Sequence, residues 1–282
     1  MTNLGVAFIA ILGFPIFLPA QAAGPNSAEK PSKSMVPHAS DGKPDLTGVW
    51  QPGSTQRGSW EEANAGVGLG GSGRDPTGQR LPEQLVSAPA PYQSWAAKKV
   101  LEYFNRRGID DPRVRCLPPG VPRVATLGLY PIQIVQTPQQ FVILYEYGNV
   151  HRIIPLNQKH PDDLYPTYMG DSVAHWEGDT LVVDVTGFND GTWLQGTGTF
   201  HTEALHVTER YTRVDKDQIN YEATMEDPNV LTKPWTIHTA MMLREGTRIQ
   251  EDVCVENNVD AEREEKLLKD GVDFTRKQSQ PQ

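Results

Sequence analysis

Glu209 stands where proton-transfer chemistry would need a carboxylate. In the strand-like stretch Leu205–Val214, alternate positions Val207, Glu209 and Tyr211 share one face; in Gln218–Glu226, positions Ile219, Tyr221, Ala223 and Met225 do the same. If Asp215-Lys216-Asp217 is a three-residue hairpin loop, Val214 pairs with Gln218. The ladder then sets Tyr211 against Tyr221, Glu209 against Ala223 and Val207 against Met225. That face is apolar except for Glu209 and, near the loop, Arg213. The opposite face matches Thr212 with Asn220, Arg210 with Glu222, Thr208 with Thr224 and His206 with Glu226, so each basic residue meets a carboxylate. A loop one residue shorter or longer can bring Glu209 against Glu222, which like-charge repulsion disfavours.

In this register Glu209 is a charge on an apolar, Tyr-flanked face, where burial favours its neutral form and suits it to general acid or base work. Tyr211 and Tyr221 are its candidate hydroxyl donors, and Arg210, Arg152 or His206 would stabilise developing negative charge. Arg210 and His206 qualify only if the polar ladder faces the cavity. The competing reading is that Glu209 pairs with Arg213 or Arg152 and merely fixes the fold. His151 and Arg152, together with Trp176, Trp193 and Trp235, are candidate substrate contacts; for each tryptophan the alternative is core packing. Asp184, flanked by valines, is a second carboxylate in an apolar strand, and alternation with Val182 and Thr186 favours solvent for it.

A metal centre needs three convergent ligands. His201, His206 and Glu209 lie close in sequence, but His206 and Glu209 are separated by an odd interval and project to opposite faces of one strand. His151, His175 and His238 come from strands that the sequence does not bring together. No metal ligand is assigned, and the acid–base reading needs no cofactor. Neither a Gly-x-Ser-x-Gly elbow nor an activated cysteine marks a nucleophile. Arg113, Arg115 and Arg123 sit in a proline-rich stretch, where they grip an anion, solvate an irregular segment or pair with the protein's own carboxylates.

The elements that must position these residues are strands. Ile132–Gln136, Gln140–Tyr147, Val150–Leu156, Ser172–Trp176, Thr180–Thr186, Leu205–Val214, Gln218–Glu226, Thr236–Leu243 and Arg248–Val255 follow one another with turn residues between nearly all of them. Thr137-Pro138-Gln139 and Glu177-Gly178-Asp179 read as further hairpin loops. The pattern predicts an all-β, mainly antiparallel fold: a meander forming a closed or nearly closed, lipocalin-like β-barrel with one or two peripheral helices. A β-sandwich is the alternative. Asp45–Trp50 predicts a short strand that plants Trp50 in the core. Tyr92–Gly108 predicts a helix over about 92–107 with Gly108 as its C-cap, and Asp260–Lys269 a charged helix followed by a loose tail. The domain spans 45–258, with a Gly/Pro-rich insertion at 52–91 and the charged helix and tail at 259–282. In that insertion Gly66–Gly73 lacks the Gly-Lys-Ser/Thr of a phosphate loop.

A chain of 282 residues with 38% hydrophobic residues can bury one large core. Its net charge of −9 argues against nucleic acid and anionic membranes as partners, since both require clustered Lys and Arg. Leu4–Leu18 is apolar and leads to Ala20-Gln21-Ala22, which reads as a signal peptide over 1–22 cleaved after Ala22, although no Lys or Arg precedes the apolar run. The run is shorter than the ~20 residues of a membrane span, so no span is expected in the mature protein. Residues 23–44 read as a flexible lead-in. In an exported chain, periplasmic or secreted, the pair Cys116 and Cys254 favours one disulfide over two buried thiols.

The segments His175–Asp184, Thr186–Asp190, Glu209-Arg210-Tyr211 and Asp227-Pro228, with Cys116-x-Pro118-x-Gly120-x-Pro122-Arg123 and Asp45–Trp50, resemble a widespread family of exported bacterial proteins of unassigned function. The similarity covers Asp45 to about Trp235 and brings no reaction with it. Gly48-Val49-Trp50 is also similar to the lipocalin Gly-x-Trp start, although the long insertion departs from lipocalins. The expected function is binding of a small apolar or aromatic molecule, with acid–base conversion of the lyase, isomerase or hydrolase kind if the protein is catalytic. The alternatives are a non-catalytic carrier and a structural or envelope-interaction module, the last predicting a barrel with no cavity. Oligomeric state is not legible.

Overall fold

Alternating burial and short turns bend the chain into a ring. A computed structural model describes residues 35–53, 90–106, 109–195, 198–256, 258 and 260–271. Its strands are β1 (Gly48–Pro52), β2 (Ile132–Gln136), β3 (Gln140–Tyr145), β4 (Val150–Pro155), β5 (Asp171–Glu177), β6 (Thr180–Thr186), β7 (His206–Arg213), β8 (Gln218–Glu226) and β9 (Trp235–Leu243). They form one nine-stranded sheet in the order β4-β3-β2-β1-β9-β8-β7-β6-β5. Neighbours in this order pair antiparallel, and β9 returns to β1 through Trp50↔Leu243, Gln51↔Met242 and Pro52↔Met241. The expected meander is therefore present as a nearly closed barrel.

Closure stops at β4 and β5. Nine is odd, so strands that alternate in direction around a ring leave one neighbouring pair running the same way, and here it is this pair. The ladder thins to one isolated parallel bridge, Leu156↔Ala174, reinforced by the Asn157 N–H donating to the Ala174 carbonyl at 2.7 Å. Residues 157–170 then travel back along the outside, where Thr167 bridges Phe188 and its N–H donates to the Gly187 carbonyl at 3.0 Å.

The β7–β8 register is the expected one. Glu209 opposes Ala223, Tyr211 opposes Tyr221, and the Val214 N–H donates to the Gln218 carbonyl at 2.9 Å across the loop. Val207, Glu209, Tyr211 and Arg213 are buried while His206, Thr208, Arg210 and Thr212 are not, so the first set faces the interior. Trp50, Phe141, Ile143, Tyr145, Tyr211 and Tyr221 fill that interior with side chains less than 2% exposed. The helix α1 (Ser94–Asn105) buries Ala96 and Val100, which lie one turn apart on one face. Tyr92 before it stacks on Phe200 and donates to the Phe200 carbonyl at 2.8 Å, and Tyr103 lies 5.2 Å from Trp193.

Three expectations need correction. Arg248–Val255 is not a strand, because β1 takes the free edge of β9 and side-chain ties hold the segment irregular. The Gln250 N–H donates to Glu146, Asp252 accepts from Arg113 and from the Gly148 N–H, and Cys254 is disulfide-bonded to Cys116 across 138 residues. The strand expected at Asp45–Trp50 begins later, at Gly48, and extends to Pro52. The lead-in is not loose throughout: Ala39 N–H bonds to the Lys43 carbonyl and Asp45 N–H to the Pro37 carbonyl, folding 37–45 into a turn. The charged helix forms as expected, as α2 (Asp260–Lys269). The signal peptide at 1–22, the lead-in to 34, insertion residues 54–89, the Gly108 cap and the tail after 271 lie outside the described residues.

Candidate functional site

The barrel interior carries a polar cluster built around Glu209. Its side chain is 0% exposed and that of Arg152, on β4, is 3% exposed; Arg152 Nη2 lies 2.6 Å from Glu209 Oε2. The contact is a charge pair more than an aligned hydrogen bond, since the same Nη2 donates to Ser172 Oγ at 2.7 Å while Oε2 has no aligned donor. Arg152 Nε also donates to Ser172, at 3.2 Å, and Nη1 to Tyr145 Oη at 3.2 Å. Glu209 Oε1 accepts from the Tyr221 hydroxyl at 2.8 Å and from the Tyr211 hydroxyl at 3.0 Å. The two rings meet edge to face, their centroids 4.9 Å apart.

Strand alternation explains the convergence. Arg152 follows the same inward parity as Ile154, and Ser172 the same as Ala174, so Arg152 and Ser172 face each other across the seam between β4 and β5. The electrostatics are self-consistent. Burial first, then the charge of Glu209, holds the Tyr211 and Tyr221 hydroxyls well above the usual phenol range, so both are donors at neutral pH. Burial works against the Arg152 charge, but Glu209 and the tyrosines outweigh it and keep the guanidinium protonated. Tyr145 is likewise raised by burial.

Of the sequence candidates, the structure brings together Glu209, Tyr211, Tyr221 and Arg152. It places the others elsewhere. Arg210 points outward and pairs with Glu177 at 2.7 Å, not with the opposing Glu222, which lies 3.4 Å from His238 instead. His206 is also on the outer face, so neither residue can stabilise charge at Glu209, and that role falls to Arg152. His151 is exposed on the outside of β4. Trp193 packs by α1, Trp235 is buried at the start of β9, and Trp176 sits 6.0 Å from Phe141 with Lys43 over its ring. Arg213 is held by the Asp45, Asp215 and Lys216 carbonyls and lies over Trp50. Tyr145 and Ser172 are the cluster members that sequence reasoning missed; the signal for both is inward parity on strands adjoining Arg152.

Two further networks lie outside the interior. On the outer wall His160 Nδ1 meets Asp171 at 2.5 Å and its Nε2 meets Asp184 at 2.9 Å; His206 Nε2 meets Asp184 at 2.5 Å and its Nδ1 meets Glu226 at 3.3 Å. Beside Phe188, His201 Nδ1 lies 2.9 Å from the Thr202 carbonyl. A carbonyl only accepts, so Nδ1 carries the proton and Nε2 accepts from the Thr192 hydroxyl at 2.7 Å. Burial pulls the His201 pKa down and keeps the ring neutral. A hydroxyl on a neutral imidazole is the pairing that activates an alcohol nucleophile. Here both groups are 2% exposed, and the Thr192 hydroxyl is packed against Gly120, so the pair belongs to the core.

The three arginines of the proline-rich stretch also find protein carboxylates: Arg123 pairs bidentately with buried Asp111, Arg113 with Asp252, and Arg115 with Glu265 at 3.7 Å. Among the described residues no three His, Cys, Asp or Glu are grouped to hold a metal ion. No described helix is long and apolar enough to cross a membrane. Compared with known proteins, the chain matches no family model and no curated sequence.

Proposed function

We propose that this is an exported β-barrel protein that binds a small, largely apolar or aromatic molecule, with Glu209 as the group on which any acid–base conversion turns. The observation that carries the reading is the Arg152–Glu209 pair with its tyrosine hydroxyls inside a largely apolar interior. A buried ion pair is a poor stability device, because desolvation offsets its attraction and apolar residues of equal volume hold a core as well or better. Its presence therefore supports a use other than packing. In that use Glu209 exchanges a proton with the ligand, Tyr211 and Tyr221 orient the carboxyl group, and Arg152 stabilises negative charge on the ligand. Entry would run through the seam between β4 and β5. The resemblance to exported bacterial proteins and the disulfide both fit an oxidising compartment.

A second reading, a structural or envelope-interaction module, draws on a separate observation: Glu209, Tyr211 and Tyr221 are all 0% exposed among packed aromatic side chains. Titration of the protein with 1-anilinonaphthalene-8-sulfonate and with neutral naphthalene and phenol derivatives, read by fluorescence and native mass spectrometry, separates the two. Stoichiometric binding that Glu209→Gln weakens supports the first. No binding by any probe, with Glu209→Gln folded, leaves the structural module.

A further inference from the structure

Residues 157–170 form a strap on the outside of β5 and β6, and its anchoring is uneven. Backbone hydrogen bonds hold its ends, from Asn157 to Ala174 and from Thr167 to Gly187, and Leu164 packs over Gly187. Between them Tyr165 is 85% exposed. The polar hold on the middle is His160, whose two ring nitrogens face two carboxylates, Asp171 of β5 and Asp184 of β6. A neutral imidazole has one N–H and can donate to only one of them; the imidazolium donates to both. With an acceptor-only carboxylate at 2.5 Å and another at 2.9 Å, the neutral ring leaves one nitrogen lone pair facing a carboxylate oxygen.

We propose that the strap is a pH-sensitive clamp: doubly protonated His160, gripped by Asp171 and Asp184, locks it to the barrel wall, and loss of that proton loosens it. The charged groups facing His160 come from several elements. Asp171 and Asp184 touch it directly, His206 of β7 shares Asp184, and Glu226 of β8 holds the far side of His206. On its own segment Lys159, Asp162 and Asp163 are the nearest charges in sequence.

The titration agrees in sign. Burial disfavours the His160 charge, but the hydrogen bonds to Asp171 and then Asp184 prevail and raise its pKa. A raised folded-state pKa gives a contribution that is complete below the ordinary histidine value of about 6.5 and lost as pH rises through the folded value. Burial alone would raise Asp184, but hydrogen bonds from His206 and then His160 lower it, so its contribution is present above the ordinary aspartate value and lost as pH falls through the lowered one. The clamp is in force between those two limits.

The test is amide hydrogen exchange of the full chain, corrected for intrinsic rates, on peptides covering 157–170. Protection should fall between about pH 5.5 and about pH 8.5, and the ratio of the two opening equilibria reads how much more tightly the clamped ring holds its proton than the free one. His160→Asn should leave the strap loose at both values, and Asp171→Asn should move the midpoint down. His206→Asn should keep the pH response. Protection that does not change with pH, a response that survives His160→Asn, or a His160 ring titrating by NMR at or below about 6.5 overturns the clamp. The readout is the strap's own exchange, so the result does not depend on whether Glu209 serves a ligand.

Discussion

Replacing Arg152 by Met is the sharpest perturbation of the interior, because it removes a charge that three neighbours, Glu209, Ser172 and Tyr145, are arranged around. Methionine keeps much of the volume but abandons the Glu209 contact at 2.6 Å and the hydrogen bonds to Ser172 and Tyr145. Glu209 would retain two phenol donors on Oε1 and no counter-charge in a site with 0% exposure. Breaking a buried pair from one side costs about 3–5 kcal/mol, a large share of a total stability of about 5–15 kcal/mol. For a domain of this size each kcal/mol moves Tm by roughly 2–4 °C, so the expected drop is roughly 6–20 °C. The double variant Arg152→Met/Glu209→Leu has no stranded charge and should be less destabilised than the sum of the two single variants, the remaining loss coming from the Tyr211 and Tyr221 hydroxyls left without their acceptor. Urea denaturation followed by circular dichroism on the parent, both single variants and the double gives the coupling energy. A single-variant loss below about 1 kcal/mol, or a double-variant loss equal to the sum of the singles, would refute the account of this pair as buried and mutually dependent.

Removing the disulfide with Cys116→Ser/Cys254→Ser should cost about 2–5 kcal/mol, measured as the shift in urea midpoint, since the bond ties a segment with no ladder of its own across 138 residues. Gly120→Ala should destabilise by about 2 kcal/mol or more in the same assay: Gly120 has φ +76°, and an added Cβ would stand 2.6 Å from the Thr192 hydroxyl. His201 is held neutral, with its pKa below the ordinary value, so its contribution is intact above about pH 6.5 and erodes as pH falls. Thermal unfolding scans across pH 4–8 should show an acid-side slope that His201→Gln reduces; an unchanged slope would remove His201 from the acid response.

The β7–β8 hairpin was legible because two signals agreed. Alternation chose the faces of Glu209 and His206, and the charge pairs chose the register. Where one signal stood alone the reading drifted. Arg248–Val255 has a strand-like pattern, yet a strand needs an unpaired edge, and β1 had taken the available one. The partner of Glu209 could be narrowed to two arginines but not chosen, because alternation says which way a side chain points and not which strand stands opposite across a barrel. Tyr145 and Ser172 were hidden for the same reason. His160 was hidden differently: it lies in a Pro- and Asp-rich connection, where no periodicity relates it to Asp171 or Asp184. Composition suggests that the arginines near Cys116 grip an anion, solvate the chain or pair with the protein's own carboxylates, and their pairing with Asp111, Asp252 and Glu265 follows the last course.

A fully laddered ring offers no template for another chain, and here the ladder lapses at one pair. At the parallel seam the facing edges of β4 and β5 hold backbone donors and acceptors that the single Leu156–Ala174 bridge does not engage. Part of the β5 edge is occupied by Asn157, and Arg152 ties the two edges from within through Ser172. Both guards are side-chain or end-of-strap contacts, weaker than a ladder. Aggregation of this barrel should therefore begin at one place, by strand addition between molecules along that seam, and a proline at Ile153, whose side chain already faces solvent, would be the economical block.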